Sequence, residues 1–132
     1  MSALGLKAYR ETVKTTISGR NLEAAVLTKA ARLLIQCQEQ WNGEDHFLRL
    51  DEALTFNQKI WTIFQGELAK EDHPMPLELR TNLLKLSLMV DKRIVEVMAN
   101  DDSPDRLDLI INLNNHIAAG LRGSGVLSPV RK

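Results

Sequence analysis

Apolar residues between Phe47 and Leu68 recur every three or four positions, which is the spacing of one face of an α-helix. Two such series run side by side, so the apolar stripe is wider than that of an ordinary amphipathic helix. The first series contains Phe47, Leu50, Leu54, Trp61, Phe64 and Leu68, and the second contains Ala53, Phe56, Ile60 and Ile63. Asn57 falls inside the first series, where a buried amide needs hydrogen-bond partners. The pattern predicts a central helix with neighbours on more than one side.

Two further segments have the same helical periodicity. Residues 21–41 place Leu22, Val26, Ala30, Leu33, Cys37 and Trp41 on one face. Residues 77–99 are more apolar and carry two series, one of Leu79, Leu83, Leu86, Val90, Ile94 and Val97 and another of Leu84, Leu88 and Val95. Residues 77–99 are therefore predicted to form a second buried helix.

Helix start signals precede the central helix and a last helix. Asp45 is the predicted N-cap of the central helix. Ser103 and Pro104 predict that the last helix begins with a serine N-cap and a proline at its first position. This helix is predicted to end at residues 120–123, with Leu107, Ile110, Asn114, Ile117 and Leu121 on one face.

The chain is predicted to be all-α, a single-domain helical bundle of about four main helices plus a short N-terminal helix. Residues 3–16 have only a narrow apolar stripe, and Ser18-Gly19 predicts a break before the next helix. The predicted domain covers residues 1–122, with residues 3–16 as a loosely attached helix. Residues 123–132 are predicted to be a flexible C-terminal tail.

The composition is that of an ordinary globular protein, since 44% of the 132 residues are hydrophobic and 26% are charged. Seventeen basic residues balance seventeen acidic ones, so the whole chain lacks the positive field used for nonspecific binding to RNA or membranes. The chain also contains no apolar run of membrane-spanning length. We therefore expect a cytoplasmic protein, without a membrane partner, for which direct RNA contact is disfavoured.

No pattern typical of a catalytic or metal site is present. Cys37 lies on an apolar helix face, where thiols are usually inert. The three histidines lack the spacing of a metal pair, and the segment containing Glu44, Asp45, His46 and Asp51 is more typical of a solvated turn than of a metal site. We expect no enzyme activity, no catalytic residue, no metal and no cofactor.

Three asparagines, Asn57, Asn82 and Asn114, lie in or beside apolar helix faces. They could form an internal amide network that sets how the helices pack. They could equally line a groove that binds a guest helix, since such a groove needs a few placed polar groups among apolar anchors. The residues alone leave both interpretations open.

Short motifs along the chain, taken together, resemble the flagellar biosynthesis regulator family FlaF of alphaproteobacteria. The motifs are Leu50-Asp51-Glu52-Ala53-Leu54, Asn57-Gln58, Trp61-Thr62, Met75-Pro76-Leu77, Asn82-Leu83, Val90-Asp91-Lys92-Arg93 and Ile117-Ala118-Ala119-Gly120-Leu121, with Arg80 and Asn114 between them. The resemblance covers about residues 3–121. It implies a cytoplasmic accessory protein for flagellin production and flagellum assembly, with no catalytic residue to transfer.

The resemblance, together with the wide apolar faces, suggests a chaperone-like module that binds flagellin. Its predicted partner-binding residues are Asn57, Trp61, Arg80, Asn82, Asp91, Arg93 and Asn114. The alternative is a post-transcriptional activator of flagellin translation, acting on flagellin mRNA or through the partner regulator FlbT. A third interpretation is a structural adaptor whose apolar surface closes a homodimer, so both a monomer and a homodimer remain open.

Overall fold

The computed structural model describes the backbone of residues 3–123 and the side chains of residues 20–123. Its helices are α1 (Ala3–Glu39), α2 (His46–Leu68), α3 (Leu77–Ala99) and α4 (Asp108–Leu121), with a short 3-10 helix (Pro104–Leu107) before α4. No strand occurs within residues 3–123. The predicted all-α bundle is confirmed. The predicted C-terminal tail lies outside the described residues, apart from residue 123.

The four helices form a closed ring, since α1 packs on α2, α2 on α3, α3 on α4, and α4 back on α1. The contact between α1 and α4 is the most extensive of these. Short connections between successive helices favour this arrangement of antiparallel neighbours. The core therefore lies along the axis of the ring, enclosed by one face of each helix.

The first helix, α1, is continuous over 37 residues and includes Ser18 and Gly19, where the sequence predicted a break. A separate short N-terminal helix is therefore not confirmed. One glycine inside a helix costs only about 1 kcal/mol relative to alanine, which a long helix tolerates. The predicted loose attachment of residues 3–16 concerns side chains outside the described residues.

The buried face of α1 is rotated from the predicted one. Leu22 was expected in the core but is 67% exposed, and Leu33 is only half-buried. The core positions are Ala24, Leu27, Ala30, Ala31, Leu34 and Cys37. Because alanine side chains are small, neighbouring helices can pack against this face of α1. The predicted face was based mainly on large apolar residues, so most of these alanines were not assigned to the core.

The second helix, α2, is central as predicted, because it buries Leu50, Ala53, Leu54, Asn57, Trp61 and Leu68. The predicted apolar face was nevertheless too wide. Phe47 is 75% exposed at the first turn of α2, and Ile63 is 60% exposed on the side away from the core. The second apolar series therefore lies only partly against neighbouring helices.

The third helix, α3, buries one of its two predicted apolar series. Leu83, Val90, Ile94 and Val97 lie in the core together with Ser87. The other series faces outward, with Leu88 and Val95 exposed and Leu84 half-buried. The predicted buried helix is therefore buried along one face, where α3 packs on α2, α4 and the 3-10 helix.

The two predicted helix starts are only partly as expected. Asp45 is the N-cap residue of α2, as predicted, but its side chain makes no cap hydrogen bond. Ser103 and Pro104 begin the 3-10 helix rather than α4, and the Ser103 hydroxyl donates to the Asp105 carboxylate. In the described part of the chain, no helix combines the length and apolar character needed to cross a membrane.

Candidate functional site

An apolar cleft opens at the end of the bundle where α2 leads into α3. Its volume is about 440 Å³, within the range of ligand-binding pockets. Every α-helix contributes to its walls, and the loop before α3 contributes Pro74, Met75 and Pro76. The apolar side chains from the helices are Leu27, Trp61, Phe64, Leu68, Leu79, Leu83, Ile117 and Leu121. We call this site the terminal cleft.

Charged side chains of both signs lie among these apolar walls. Arg20 and Glu23 come from α1 and Glu67 comes from α2. Loss of water around the Glu23 carboxyl raises its pKa, the nearby Glu67 carboxylate raises it further, and Arg20 opposes both effects. Cations balance both carboxylates within the protein, since Lys70 Nζ lies 3.0 Å from Glu67 Oε1 and Arg20 lies near Glu23.

Arg80 holds the loop that forms one wall of the terminal cleft. Its Nε donates to the Met75 carbonyl at 3.0 Å, and its Nη1 donates to the carbonyls of Lys70 at 2.6 Å and Leu68 at 3.4 Å. The Met75 backbone N–H donates in turn to His73 Nδ1 at 3.1 Å. Arg80 therefore satisfies carbonyls at the end of α2, which have no partner within the helix itself.

Replacing Arg80 with methionine is expected to lower the free energy of unfolding by about 1–2 kcal/mol, because it removes charge-assisted hydrogen bonds at a half-buried site. Amide hydrogen exchange of residues 70–76 should accelerate more than exchange in the rest of the bundle. Arg32→Met on the exposed side of α1 is the matched control and should change neither quantity. Equal exchange rates for the loop in both variants would contradict this role of Arg80.

A chain of buried hydrogen bonds runs from the terminal cleft into the core. Trp61 Nε1–H donates to Asn114 Oδ1 at 2.8 Å, and Asn114 Nδ2 donates to Asn57 Oδ1 at 2.7 Å. Asn57 Nδ2 then donates to the carbonyls of Ala53 at 2.8 Å and Ala30 at 3.1 Å. We call this the amide chain. It joins α1, α2 and α4 through side chains that are almost completely buried.

The amide chain confirms the internal-network interpretation for Asn57 and Asn114. Asn82 is not part of this chain and lies exposed on α3. Trp61, Asn57 and Asn114 lie together in the amide chain, and partner binding by them stays a prediction. Only Trp61 borders the terminal cleft, so a guest that contacts the two asparagines would first have to open the bundle.

The other predicted partner-binding residues lie at separate places on α3. Asp91 accepts a hydrogen bond from Gln65 Nε2 of α2 at 2.7 Å, and Gln65 also donates to the Ser87 hydroxyl at 3.1 Å. Arg93 Nη1 donates to the Arg106 carbonyl of the 3-10 helix at 3.0 Å. Each half-buried side chain therefore joins two elements of the bundle, and partner binding by these residues stays a prediction.

Two other residues that were considered for catalysis or metal binding, Cys37 and His46, lie in contacts within the fold. Cys37 is buried, and this burial raises the pKa of its thiol although Arg49 partly lowers it. His46 Nε2 lies 2.7 Å from Asp101 Oδ2, joining the start of α2 to the segment after α3. Among the side chains of residues 20–123, no three histidine, cysteine or acidic residues are grouped as metal ligands.

Sequence reasoning missed several residues of the terminal cleft. Neither Glu23 nor the loop residues His73 and Pro74 were among its candidate site residues. The pair of prolines around Met75 was one available signal, because prolines restrict the loop that presents this side chain. No sequence pattern indicates that Glu23 and Glu67 are close to each other, since these residues meet only when α1 and α2 pack.

The fold and the site together define a class: a four-helix bundle with a buried amide chain and an apolar cleft at one end. The model of a family described as flagellar protein FlaF matches residues 6–121, which is most of the chain. The chain therefore belongs to the FlaF family, as the sequence resemblance indicated, and is a flagellar protein. No curated protein and no solved structure matches it significantly.

Proposed function

We propose that this chain binds flagellin and holds the apolar face of an amphipathic flagellin segment in the terminal cleft. It would act in the cytoplasm, by binding rather than by catalysis, and would support flagellin production and export. Membership of a flagellar family supplies the biological setting. The observation that carries the proposal is the apolar cleft of about 440 Å³ at one end of a closed bundle.

The chemistry of the terminal cleft supports a peptide guest. Apolar walls with a few charged groups are typical of a groove that binds an amphipathic helix, because apolar anchors supply affinity and polar groups set orientation. Charges of both signs border the cleft, namely Glu23 beside Arg20 and Glu67 paired with Lys70, and they offer the polar rim of the guest several hydrogen-bond partners. A guest with this pattern would also be shielded from self-assembly while bound.

Calorimetry of the purified protein against flagellin and against its C-terminal segment tests the proposal. Saturable one-to-one binding is expected, and the segment titration shows whether that region is the guest. Absence of heat and of a complex on a sizing column would contradict flagellin binding. The alternative, activation of flagellin translation, would then be tested by titrating FlbT and by filter binding of the flagellin leader RNA at low salt.

Met75→Gln should weaken flagellin binding about fivefold, because a half-buried apolar wall of the cleft becomes polar while the side-chain length is kept. Met89→Gln is the matched control, since Met89 is 49% exposed on α3 and does not line the cleft. Circular dichroism would verify that both variants fold. Equal affinities for the two variants would place the guest elsewhere.

A further inference from the structure

One face of α3 is apolar and exposed although it belongs to no site described so far. Leu77 is 70% exposed, Leu88 is 64% exposed and Val95 is 59% exposed. They belong to a series of seven positions on α3 that are separated alternately by four and three residues, which is the spacing of the residues that meet in a coiled coil. The positions are Leu77, Thr81, Leu84, Leu88, Asp91, Val95 and Met98, and we call them the α3 stripe.

The α3 stripe lies beside the core face of α3 and outside the terminal cleft, with Leu84 half-buried against the core and Asp91 accepting a hydrogen bond from Gln65 of α2. The core face of α3 is formed by Leu83, Ser87, Val90, Ile94 and Val97. The terminal cleft uses Leu79 and Leu83, which are not members of the stripe. Exposed apolar patches of this kind mark interaction surfaces, and the seam spacing indicates that the partner is a helix.

The α3 stripe is complementary to a second copy of itself in the antiparallel direction. When Leu88 is placed opposite Leu84 of the second copy, the same register places Val95 opposite Leu77. The two polar positions of the stripe, Thr81 and Asp91, are then also opposite each other. Each apolar residue of these layers therefore meets an apolar residue, and each polar one meets a polar one.

Charges beside the α3 stripe support the same register. Glu78, Lys85 and Lys92 are exposed and each follows a stripe residue directly. In the antiparallel register, Glu78 lies near Lys92 of the second copy, and twofold symmetry produces this pair twice. Lys85 lies near Lys85 of the second copy, so the interface has one repulsive lysine pair and two attractive Glu78–Lys92 pairs. Charges in these flanking positions are known to set the orientation of helix pairs.

We propose that the α3 stripe is the interface of an antiparallel homodimer of this chain. The interface is isologous, so each layer occurs twice about one twofold axis. It leaves the terminal cleft of each copy open. The inference does not depend on the proposed function, and its tests use no flagellin.

Analytical ultracentrifugation over a concentration series tests the assembly. The unmodified chain is expected to approach twice the 14.9 kDa chain mass, and Leu88→Glu is expected to remain at the chain mass. Ile63→Glu is the matched control, because Ile63 is 60% exposed on α2 outside the stripe, and it should dimerise normally. A monomeric unmodified chain would overturn the proposal. Dimers in Leu88→Glu would overturn it as well.

Two further measurements test the register. Glu78→Lys and Lys92→Glu should each weaken dimerisation. The double variant should restore it, because each attractive pair then has its two charges exchanged.

Cross-linking is the second measurement. Under mild oxidation, a mixture of the Leu77→Cys and Val95→Cys variants should form a disulfide-linked dimer, and either variant alone should form little of it. The native Cys37 is 2% exposed and should not interfere. Cross-linking of each variant with itself would indicate a parallel pair and overturn the antiparallel register.

Discussion

Asn114→Leu is expected to lower the free energy of unfolding by about 3 kcal/mol, because it removes the central link of the amide chain. The Trp61 indole N–H loses its acceptor, Asn114 Oδ1, and Asn57 Oδ1 loses its donor, Asn114 Nδ2. Each buried polar group without a partner costs about 1–3 kcal/mol, and the added leucine surface offsets part of this. Thermal unfolding should show a midpoint roughly 10 °C lower.

Asn115→Leu is the matched control, since Asn115 is exposed on the next position of α4 and the substitution is the same. Its midpoint should stay within experimental error of the unmodified chain. Trp61→Phe supplies a second check, because it removes the donor that Asn114 accepts from. In that background Asn114→Leu should cost less than it does alone. Additive costs would show that the bond between Trp61 and Asn114 does not contribute to stability.

Ala31→Leu is expected to destabilise the bundle by about 2–3 kcal/mol through overpacking between α1 and α4. Ala31 is 1% exposed and shares one side of α1 with Ala24 and Thr28. The Thr28 hydroxyl accepts a hydrogen bond from Arg122 Nη2, one residue after α4, at 2.9 Å, and α4 is the helix on which α1 packs most extensively. A leucine at position 31 would need space that the packed core around Ala31 occupies. Chemical denaturation with urea measures the cost.

Ala25→Leu carries the same change to an exposed position of α1 and should alter the stability by less than about 0.5 kcal/mol. Comparing the two variants separates overpacking from the helix propensity of leucine, which is close to that of alanine. Equal stabilities for Ala31→Leu and Ala25→Leu would mean that α1 and α4 are not closely packed at Ala31.

The helices themselves could be predicted because helix formation follows the local spacing of apolar residues. Residues 47–68 and 77–99 were predicted within one position of the observed α2 and α3. The buried face of α1 could not be predicted, since Ala24 and Ala31 are buried by the packing of neighbouring helices on α1 rather than by their own hydrophobicity. The outward direction of Leu88 and Val95 was missed for a related reason, because only packing determines which of two apolar series a small bundle can cover.

The candidate site was predicted only in its chemistry. Asn57 was identified as an amide that needs partners among apolar neighbours, and Asn57 and Asn114 as members of a possible amide network, which the observed amide chain contains. The terminal cleft was not predicted, because its walls come from four helices and a loop that lie far apart along the chain. The role of Arg80 in holding that loop was missed because its acceptors are backbone carbonyls. Every residue has a backbone carbonyl, so the sequence does not indicate which ones Arg80 contacts.

The amino-acid sequence by itself determined the all-α class, the centrality of α2, the need of Asn57 for partners, and the resemblance to the FlaF family. These properties depend on the local spacing and the identity of residues, and both can be read directly from the linear sequence. Only the tertiary structure decided that α1 is continuous, that the asparagines pair across α2 and α4, and that one end of the bundle holds an apolar cleft. Those properties depend on how closely helices approach one another, and that distance is set by side chains from several helices at once.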